Sequence, residues 1–370
     1  MKTTVIYFNQ WFSSIGTIIK DMKNKLGDSI KIIGSSKNKY HAYKDDVDEF
    51  ILEDWTCSES SKDFEQVYTN YVYDICLKYN VDIFFVRKYS SHISNQRKKF
   101  ESIGVKLVLE DVETFNYLND KVLTYEKLKG TELSWLIPEY YAIGNGRRLL
   151  INTTKTIKND IDGKELFSKM VSISGFCGNA QYCLKKRIDE GGCSYRLIDN
   201  KTNLNYDSLS SYRVNKLSRA EAIELIDNLD QNEINRLFLM ERLDKPEISV
   251  DCYMSKQGFI AICREKDGRV QKVYMNKIMT SICEKIASIF GIKYAFNVQF
   301  MAKKENGKNN VRLLEINTRL SGGSYYYTLL DINLAYLMLD DILDLNNYNI
   351  NDFKLFGEKF VTHIEKPIII

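Results

Sequence analysis

The first 115 residues alternate short apolar runs with stretches of helical spacing. Val5 to Phe8 reads as a strand, and Ile15 to Leu26 as a helix stopped by Gly27. Ile30 to Ile33 is a second strand, ended by Gly34-Ser35-Ser36, and Glu49 to Glu53 a third. Phe64 to Tyr79 has helical spacing, Val81 to Val86 reads as a buried strand, Asn95 to Ser102 as a helix ended by Gly104, and Val105 to Leu109 as another strand. Strands separated by helices predict a doubly wound parallel sheet. No G-x-G-x-x-G follows the first strand, so the usual dinucleotide site is not expected.

The pattern then changes. Asn119-Asp120-Lys121 opens a helix to Lys129, and a strand from Leu136 to Ile143 passes through Pro138. Gln181 to Arg187 is strand-like, with Lys185 inside it, and Gly191-Gly192 follow. A lysine in an apolar strand needs a partner, because burying an unpaired ammonium is costly. Glycine turns after it can aim backbone N–H groups at an anion. Arg219 to Leu229 is a helix with Ser218 as its N-cap. Leu237 to Leu243 is an apolar strand, and Ile248 to Met254 pairs with Phe259 to Lys266 as a hairpin. Met279 to Phe290 is an amphipathic helix closed by Gly291, and Asn333 to Leu343 is a further helix.

Between those helices lie two strands, Ala295 to Ala302 and Val311 to Asn317, joined by a connector with an Asn306-Gly307 turn signal. Folded symmetrically about Gly307, they set Gln299 opposite Glu315 and Asn297 opposite Asn317. One side of the hairpin is apolar, with Phe296, Val298 and Phe300 against Leu314 and Ile316. The other is a patch of carboxylate and amide oxygens with Arg319 at its edge. Mg²⁺ takes oxygen ligands, typically one or two carboxylates with substrate phosphates. Such a platform is compatible with the spacing, but spacing alone favours a hairpin with a hydrated polar face.

Composition narrows the class. Hydrophobic content of 44% and charged content of 27% are ordinary for globular proteins, and 370 residues predict two or three domains. A net charge of +3 is too small to argue for nucleic acid or an anionic membrane, and neither is expected as a partner. No apolar run is long enough to span a bilayer and no signal-peptide pattern opens the chain, so a cytoplasmic location is the expectation. The eight cysteines include no C-x-x-C pair, and His41, His92 and His363 lie far apart, which disfavours disulfides, a zinc site and a histidine triad.

Glu-Ile-Asn-Thr-Arg-Leu-Ser-Gly-Gly from Glu315 to Gly323, preceded by Asn-Val-Gln-Phe from Asn297, resembles the signature of the ATP-grasp superfamily. The branch it looks like is that of the carbamoyl-phosphate synthase large chain and related carboxylate–amine ligases. A weaker likeness, over Val81 to Glu110, is to the ATP-grasp branch associated with tellurium-resistance operons. The resemblance implies an α/β architecture: an N-terminal pre-ATP-grasp domain over 1–115, a connecting helix over 116–139, a mobile lid over 140–240 and a catalytic subdomain over 241–370. It implies ATP with Mg²⁺, or Mn²⁺ in its place, as cofactors. The metal would fall to Gln299, Glu315 and Asn317, and the transferring phosphate to Arg319.

Lys121 and Lys185 resemble the lysines that reach ATP phosphates, and Gly191 and Gly192 the glycine-rich lid. Lys186 stands where proline is usual, and Cys193-Ser194 where another glycine is common. Met240 to Leu243, with Glu241 and Arg242 between them, resembles the hinge that pairs with adenine, and Glu247 the ribose acid. Arg264 and Lys266 would face phosphate or the acceptor carboxylate, and Arg87 and Lys88 the non-nucleotide substrate. Taken alone, each of these residues also fits a core or surface role. The activity implied is ADP-forming carboxylate–amine ligation through an acyl phosphate, with small-molecule carboxylate and amine substrates and a homodimer as an admissible assembly. Bicarbonate activation, and an ATP-binding regulatory module without turnover, are the alternatives. Glu315→Ala is expected to abolish activity and spare the fold.

Overall fold

The computed structural model describes residues 2–143, 149–152, 165, 181–189, 192–198, 216–305, 308–353 and 357–363. The chain divides into two compact units. One comprises Met1–Asn116, Ile248–Val298 and Ile316–Ile370, the other Tyr117–Glu247 and Gln299–Glu315.

The larger unit opens on five strands: β1 (Thr4–Asn9), β2 (Ile30–Ser36), β3 (Glu49–Leu52), β4 (Ile83–Phe85) and β5 (Lys106–Val108). They form a parallel sheet in the order β3-β2-β1-β4-β5. Ile6, Tyr7 and Phe8 are all fully buried, as expected of a strand covered on both faces. The helix Ile15–Leu26 lays Ile15, Ile18, Ile19 and Met22 on one side and ends at Gly27, whose N–H bonds the Lys23 carbonyl at a φ of 52°. The helix expected over Asn95 to Ser102 is two shorter ones, Ser90–Asn95 and Arg97–Glu101, broken at Gln96.

The smaller unit holds β6 (Tyr140–Ile143), β7 (Leu149–Asn152), β8 (Tyr182–Lys186), β9 (Arg196–Ile198), β10 (Lys216–Leu217) and β11 (Leu237–Glu241) in the order β10-β9-β8-β11-β6-β7. β6 begins only after Pro138, and Ser134–Leu136 is a 3₁₀ turn. Proline lacks the ladder donor that an earlier start would need. Its core gathers Tyr141, Tyr182, Leu184, Ile198, Ile226 and Leu239. The helix Arg219–Asn228 carries a full capping box, Ser218 with Glu221.

The remaining strands are β12 (Asp244–Ser255), β13 (Gly258–Asp267), β14 (Val270–Tyr274), β15 (Phe296–Glu305), β16 (Lys308–Asn317) and β17 (Lys359–Val361), ordered β16-β15-β12-β13-β14-β17. The Asn306-Gly307 turn lies outside the described residues. In the larger unit, one hydrophobic cluster joins Ile6, Phe8 and Trp11 to Ile260, Ile262, Leu320 and Leu337. The first 116 residues therefore share a core with the C-terminal sheet, in one compact unit with Ile248–Val298 and Ile316–Ile370, and the chain passes to the smaller unit at Tyr117. Among the described residues, no helix is long and apolar enough to cross a membrane.

Candidate active site

In the smaller unit two lysines from different elements converge. Asp120 caps the helix Lys121–Lys129: its Oδ1 accepts from the Val122 N–H at 2.9 Å and the Leu123 N–H at 3.1 Å. The same carboxylate pairs with the Arg187 guanidinium at 2.8 Å, tying the helix start to the end of β8. Lys121 is thereby held at the first helical position, only 4% exposed. Its Nζ lies 3.2 Å from Glu315 Oε2 and donates to the Asp189 carbonyl at 3.2 Å.

Lys185, opposite Phe238 in the β8–β11 ladder, is 5% exposed. Burial pulls its ammonium below the usual lysine range. Lys121 adds to the lowering, while the Cys183 thiol, Glu315 and Asp189 oppose it without reversing it. An open cleft of about 470 Å³ is lined by Lys185, Asp189, Cys193, Ser194 and Arg236, among others.

Glu315 is half-buried on β16, and Gln299 half-buried on the neighbouring β15. The Tyr125 hydroxyl donates to the carbonyls of Leu314 at 2.8 Å and Leu313 at 3.2 Å, which fixes the strand just before Glu315. Asn317 stands two residues beyond, so strand alternation gives it the same facing as Glu315. Among the described residues, no three His, Cys, Asp or Glu side chains gather as a metal site.

Gly191 lies outside the described residues. Gly192 takes a φ of 66° and its carbonyl accepts from the Tyr195 N–H at 3.1 Å. Ser194 has a structural use here. Its N–H and hydroxyl donate to Asp189 Oδ2 at 2.9 and 2.6 Å, and its oxygen accepts from the Lys186 N–H at 2.9 Å. A side chain thus pins the turn after β8.

At the expected hinge, the Glu241 N–H donates to the Glu139 carbonyl at 2.9 Å and the Arg242 N–H to the Gln181 carbonyl at 2.7 Å. Those two donors are committed to flanking segments, which moves the candidate adenine donor to Leu243. The Glu241 side chain accepts from the Glu139 N–H at 2.8 Å and pairs with Lys303 at 2.8 Å, a contact the sequence did not announce. Glu247, on β12, is half-buried.

In the larger unit, Arg264 is 3% exposed and packs beneath Gly323, where an added Cβ would overlap its guanidinium. It donates to Ser321 Oγ at 3.0 Å, Ser249 Oγ at 3.3 Å and Gln271 Oε1 at 2.5 Å. Asp251, missed in the sequence, accepts from the Ser321 N–H (2.7 Å), the Ser321 hydroxyl (2.6 Å) and the Tyr327 hydroxyl (2.8 Å). Arg264 in this arrangement supports the Ser321–Gly323 turn from within the protein. Lys266, two residues along β13, is half-buried. Asn297 is fully buried and donates to Ser249 Oγ and the Val250 carbonyl, so it joins β15 to β12 and does not belong to a polar face. Tyr326 and Tyr327 are core residues, and Tyr325 stacks on Tyr326 at 4.2 Å. Arg319 is half-buried, with its guanidinium carbon 5.2 Å from the centre of the Phe12 ring.

Residues 233–364 match the family described as ATP-grasp in the biosynthetic pathway with Ter operon. That stretch is distinct from Val81 to Glu110, on which the tellurium-branch likeness rested. The biotin carboxylase domain of 2-oxoglutarate carboxylase from Hydrogenobacter thermophilus, solved with MgADP, ADP and bicarbonate, superimposes with a TM-score of 0.63 at 14% identity. The match covers 97% of this chain and 74% of that one. This chain has the ATP-grasp fold. Biotin carboxylase from Campylobacter jejuni gives a TM-score of 0.61 at 15% identity, over 96% and 74% of the two chains. N5-carboxyaminoimidazole synthetase from Staphylococcus aureus, complexed with ADP, gives 0.55 at 15% identity over 89% and 74%. No curated protein sequence matches the chain. The ATP-grasp fold thus spans both compact units, while the matching family covers the C-terminal part.

Proposed function

We propose that the protein is an ADP-forming ligase that uses Mg·ATP to activate a carboxylate for attack by an amine. The observation that carries this reading is the pair of buried ammonium groups, Lys121 and Lys185, beside Glu315 in a chain with the ATP-grasp fold. Phosphate oxygens would supply the counter-charge that burial denies Lys185. Gln299, Glu315 and Asn317 offer one carboxylate and two amide oxygens, a hard donor set suited to Mg²⁺ that keeps waters and nucleotide phosphates as its other ligands. The metal would neutralise charge on the β- and γ-phosphates.

The reaction then needs little covalent work from the protein. A carboxylate oxygen attacks the γ-phosphorus, ADP leaves, and an acyl phosphate results. The amine nitrogen attacks the acyl carbon, phosphate leaves with the bonding pair, and the nitrogen gives up a proton. Lys121, Lys185 and Arg319 hold negative charge in place through the first step. Leu243 serves adenine, Glu247 the ribose, and the turn at Gly192 and Ser194 limits water at the acyl phosphate. Bicarbonate in the carboxylate role is a second reading, favoured by the bicarbonate in the Hydrogenobacter structure. ADP release that depends on bicarbonate alone would select it.

The deciding measurement is ADP release against a panel of carboxylates and amines, with and without Mg²⁺. Glu315→Gln is expected to lower it by at least about 100-fold with an unchanged circular dichroism spectrum. Glutamine is the cleaner change. Both variants remove the charge opposite buried Lys121, but glutamine keeps an acceptor oxygen for its ammonium, whereas alanine removes charge and acceptor together and should cost the larger share of roughly 3–5 kcal/mol of stability. ADP release indifferent to Mg²⁺, or a full rate in the glutamine variant, would refute the reading.

A further inference from the structure

The cleft beside the turn after β8 opens on the side of the smaller unit's sheet that faces away from the Lys185 ammonium. Strand register fixes this. Arg196 stands opposite Leu184, and Leu237 opposite Lys186, in antiparallel ladders whose directly opposed residues project from one face. Leu184 and Leu237 join Ala222 and Ile226 of the helix Arg219–Asn228 in one core, so Lys186 and Arg196 share the helix-covered face. Lys185 borders the cleft too, yet alternation turns its side chain to the opposite face, with that of Cys183.

At about 470 Å³ the cleft has the size of a small-molecule site. Its apolar part is aliphatic: Leu184, Leu225, Leu229 and Leu237 line it, and no aromatic ring does among the described residues. Leu225 is 40% exposed, an apolar side chain left at the rim. Lys186, Arg196 and Arg236 supply positive charge beside these leucines. Arg196 turns one guanidinium nitrogen back to the carbonyls of Cys193 and Tyr195, at 3.0 and 2.8 Å. Among the described residues, the Lys186 and Arg236 side chains have no hydrogen bond or ion pair. The two acids at the cleft are engaged: Asp189 Oδ2 accepts twice from Ser194, and Glu233 Oε2 accepts from the Asp230 N–H at 2.9 Å. On this face three cations therefore outnumber two carboxylates. A single negative charge on an aliphatic chain complements both features, the tail covering the leucines and the head group meeting the guanidiniums.

The structure assigns this cleft as an effector site for an aliphatic monocarboxylate, separate from the nucleotide and from the ligase substrates. Its occupant meets the turn after β8, because Asp189, Cys193 and Ser194 line the cleft as well. Ser194 ties that turn to the Lys186 N–H, and the Asp189 carbonyl holds the Lys121 ammonium that pairs with Glu315. A bound carboxylate braces the turn and so steadies Lys121. By reciprocity, each of the two ligands then tightens the binding of the other. The site stands by itself, whereas its coupling to Mg·ADP rests on the ligase reading.

Calorimetric titration of decanoate, kept below its aggregation concentration, into the full chain tests the site. Decanoate is expected to bind, while acetate, which lacks the tail, and decanol, which lacks the charge, should each bind at least about 10-fold more weakly. Leu225→Glu sets a carboxylate at the rim, and Arg236→Met removes a cation. Both positions are exposed, so the fold is spared, and each variant should weaken decanoate by at least about 10-fold. Absence of decanoate binding, acetate or decanol binding as tightly, or parental affinity in either variant would overturn the site. Mg·ADP is then titrated with and without saturating decanoate, and roughly 5-fold tighter binding is expected in its presence. Equal or weaker Mg·ADP affinity with decanoate would overturn the effector role. Failure of Mg·ADP to bind in both conditions, with decanoate binding intact, would count against the ligase reading alone.

Discussion

Lys185 is the residue at which sequence and structure agree most directly. An ammonium inside Tyr182-Cys183-Leu184 could be recognised as misplaced in water-free surroundings, and the fold does bury it. Its lowered pKa has two consequences of definite sign. Without ligand, the folded chain holds fewer protons than the unfolded one between the lowered value and the usual lysine range, so Lys185 destabilises below that window and the penalty fades as pH rises through it. A phosphate beside it raises the pKa again, so nucleotide binding above the ligand-free value should take up a proton. Titrating Mg·ADP in buffers of differing ionisation enthalpy measures that uptake. Lys185→Met should abolish it and weaken binding by roughly 10- to 100-fold. Other site residues were harder to read. Asn297 and Gln299 are two apart on one strand, yet Asn297 is engaged with β12, a partner 47 residues away in sequence for Val250. Alternation assigns a face. It does not say whether that face meets solvent or another strand.

Among the elements, the long periodic ones were plain in the sequence and the short ones were not. The helix Lys277–Phe290 shows its apolar stripe, its Asn276 cap and its Gly291 stop in the residues themselves. By contrast Val270–Tyr274, Arg196–Ile198 and Lys359–Val361 have too few residues to show a period, and exist because a neighbouring edge offers backbone partners. Glu110 shows how such connections are secured. It follows β5, is 1% exposed, and its Oε1 accepts from the N–H groups of Lys293 and Tyr294 at 3.0 and 2.8 Å, just before β15. Burial raises its pKa against the pull of those two bonds. The folded chain therefore holds the extra proton between the usual carboxylate range and the raised value, and stability falls as pH climbs through that interval. Glu110→Gln keeps an acceptor without the buried charge, so its melting temperature relative to the parent should improve as pH rises across the interval and then level off. Glu110→Ala leaves two N–H groups without their acceptor and should lose roughly 1–3 kcal/mol per group in a denaturant titration.

For the whole molecule, the resemblance supplied an order of parts that local patterning could not. It did not reveal that the N-terminal sheet and the C-terminal sheet share one core, because Ile6 and Leu337 become neighbours in the cluster only through tertiary packing. Nor did it reveal how the chain divides: Glu315 ends one compact unit and Ile316 begins the next, so the signature stretch is split within a single strand. The ion pair between Lys121 and Glu315 gives that stretch a further property. A tethered cation already sits at the one carboxylate of the proposed metal set, so on that reading a dissolved divalent ion must evict it before it can settle there. The nucleotide changes the contest, since its phosphates offer the lysine somewhere else to go. Loading should accordingly be ordered, with magnesium arriving as the escort of ATP. Isothermal titration of MgCl₂ alone should register little heat, and Lys121→Met should let the bare ion in; tight uptake of the salt by the unaltered chain would contradict that order.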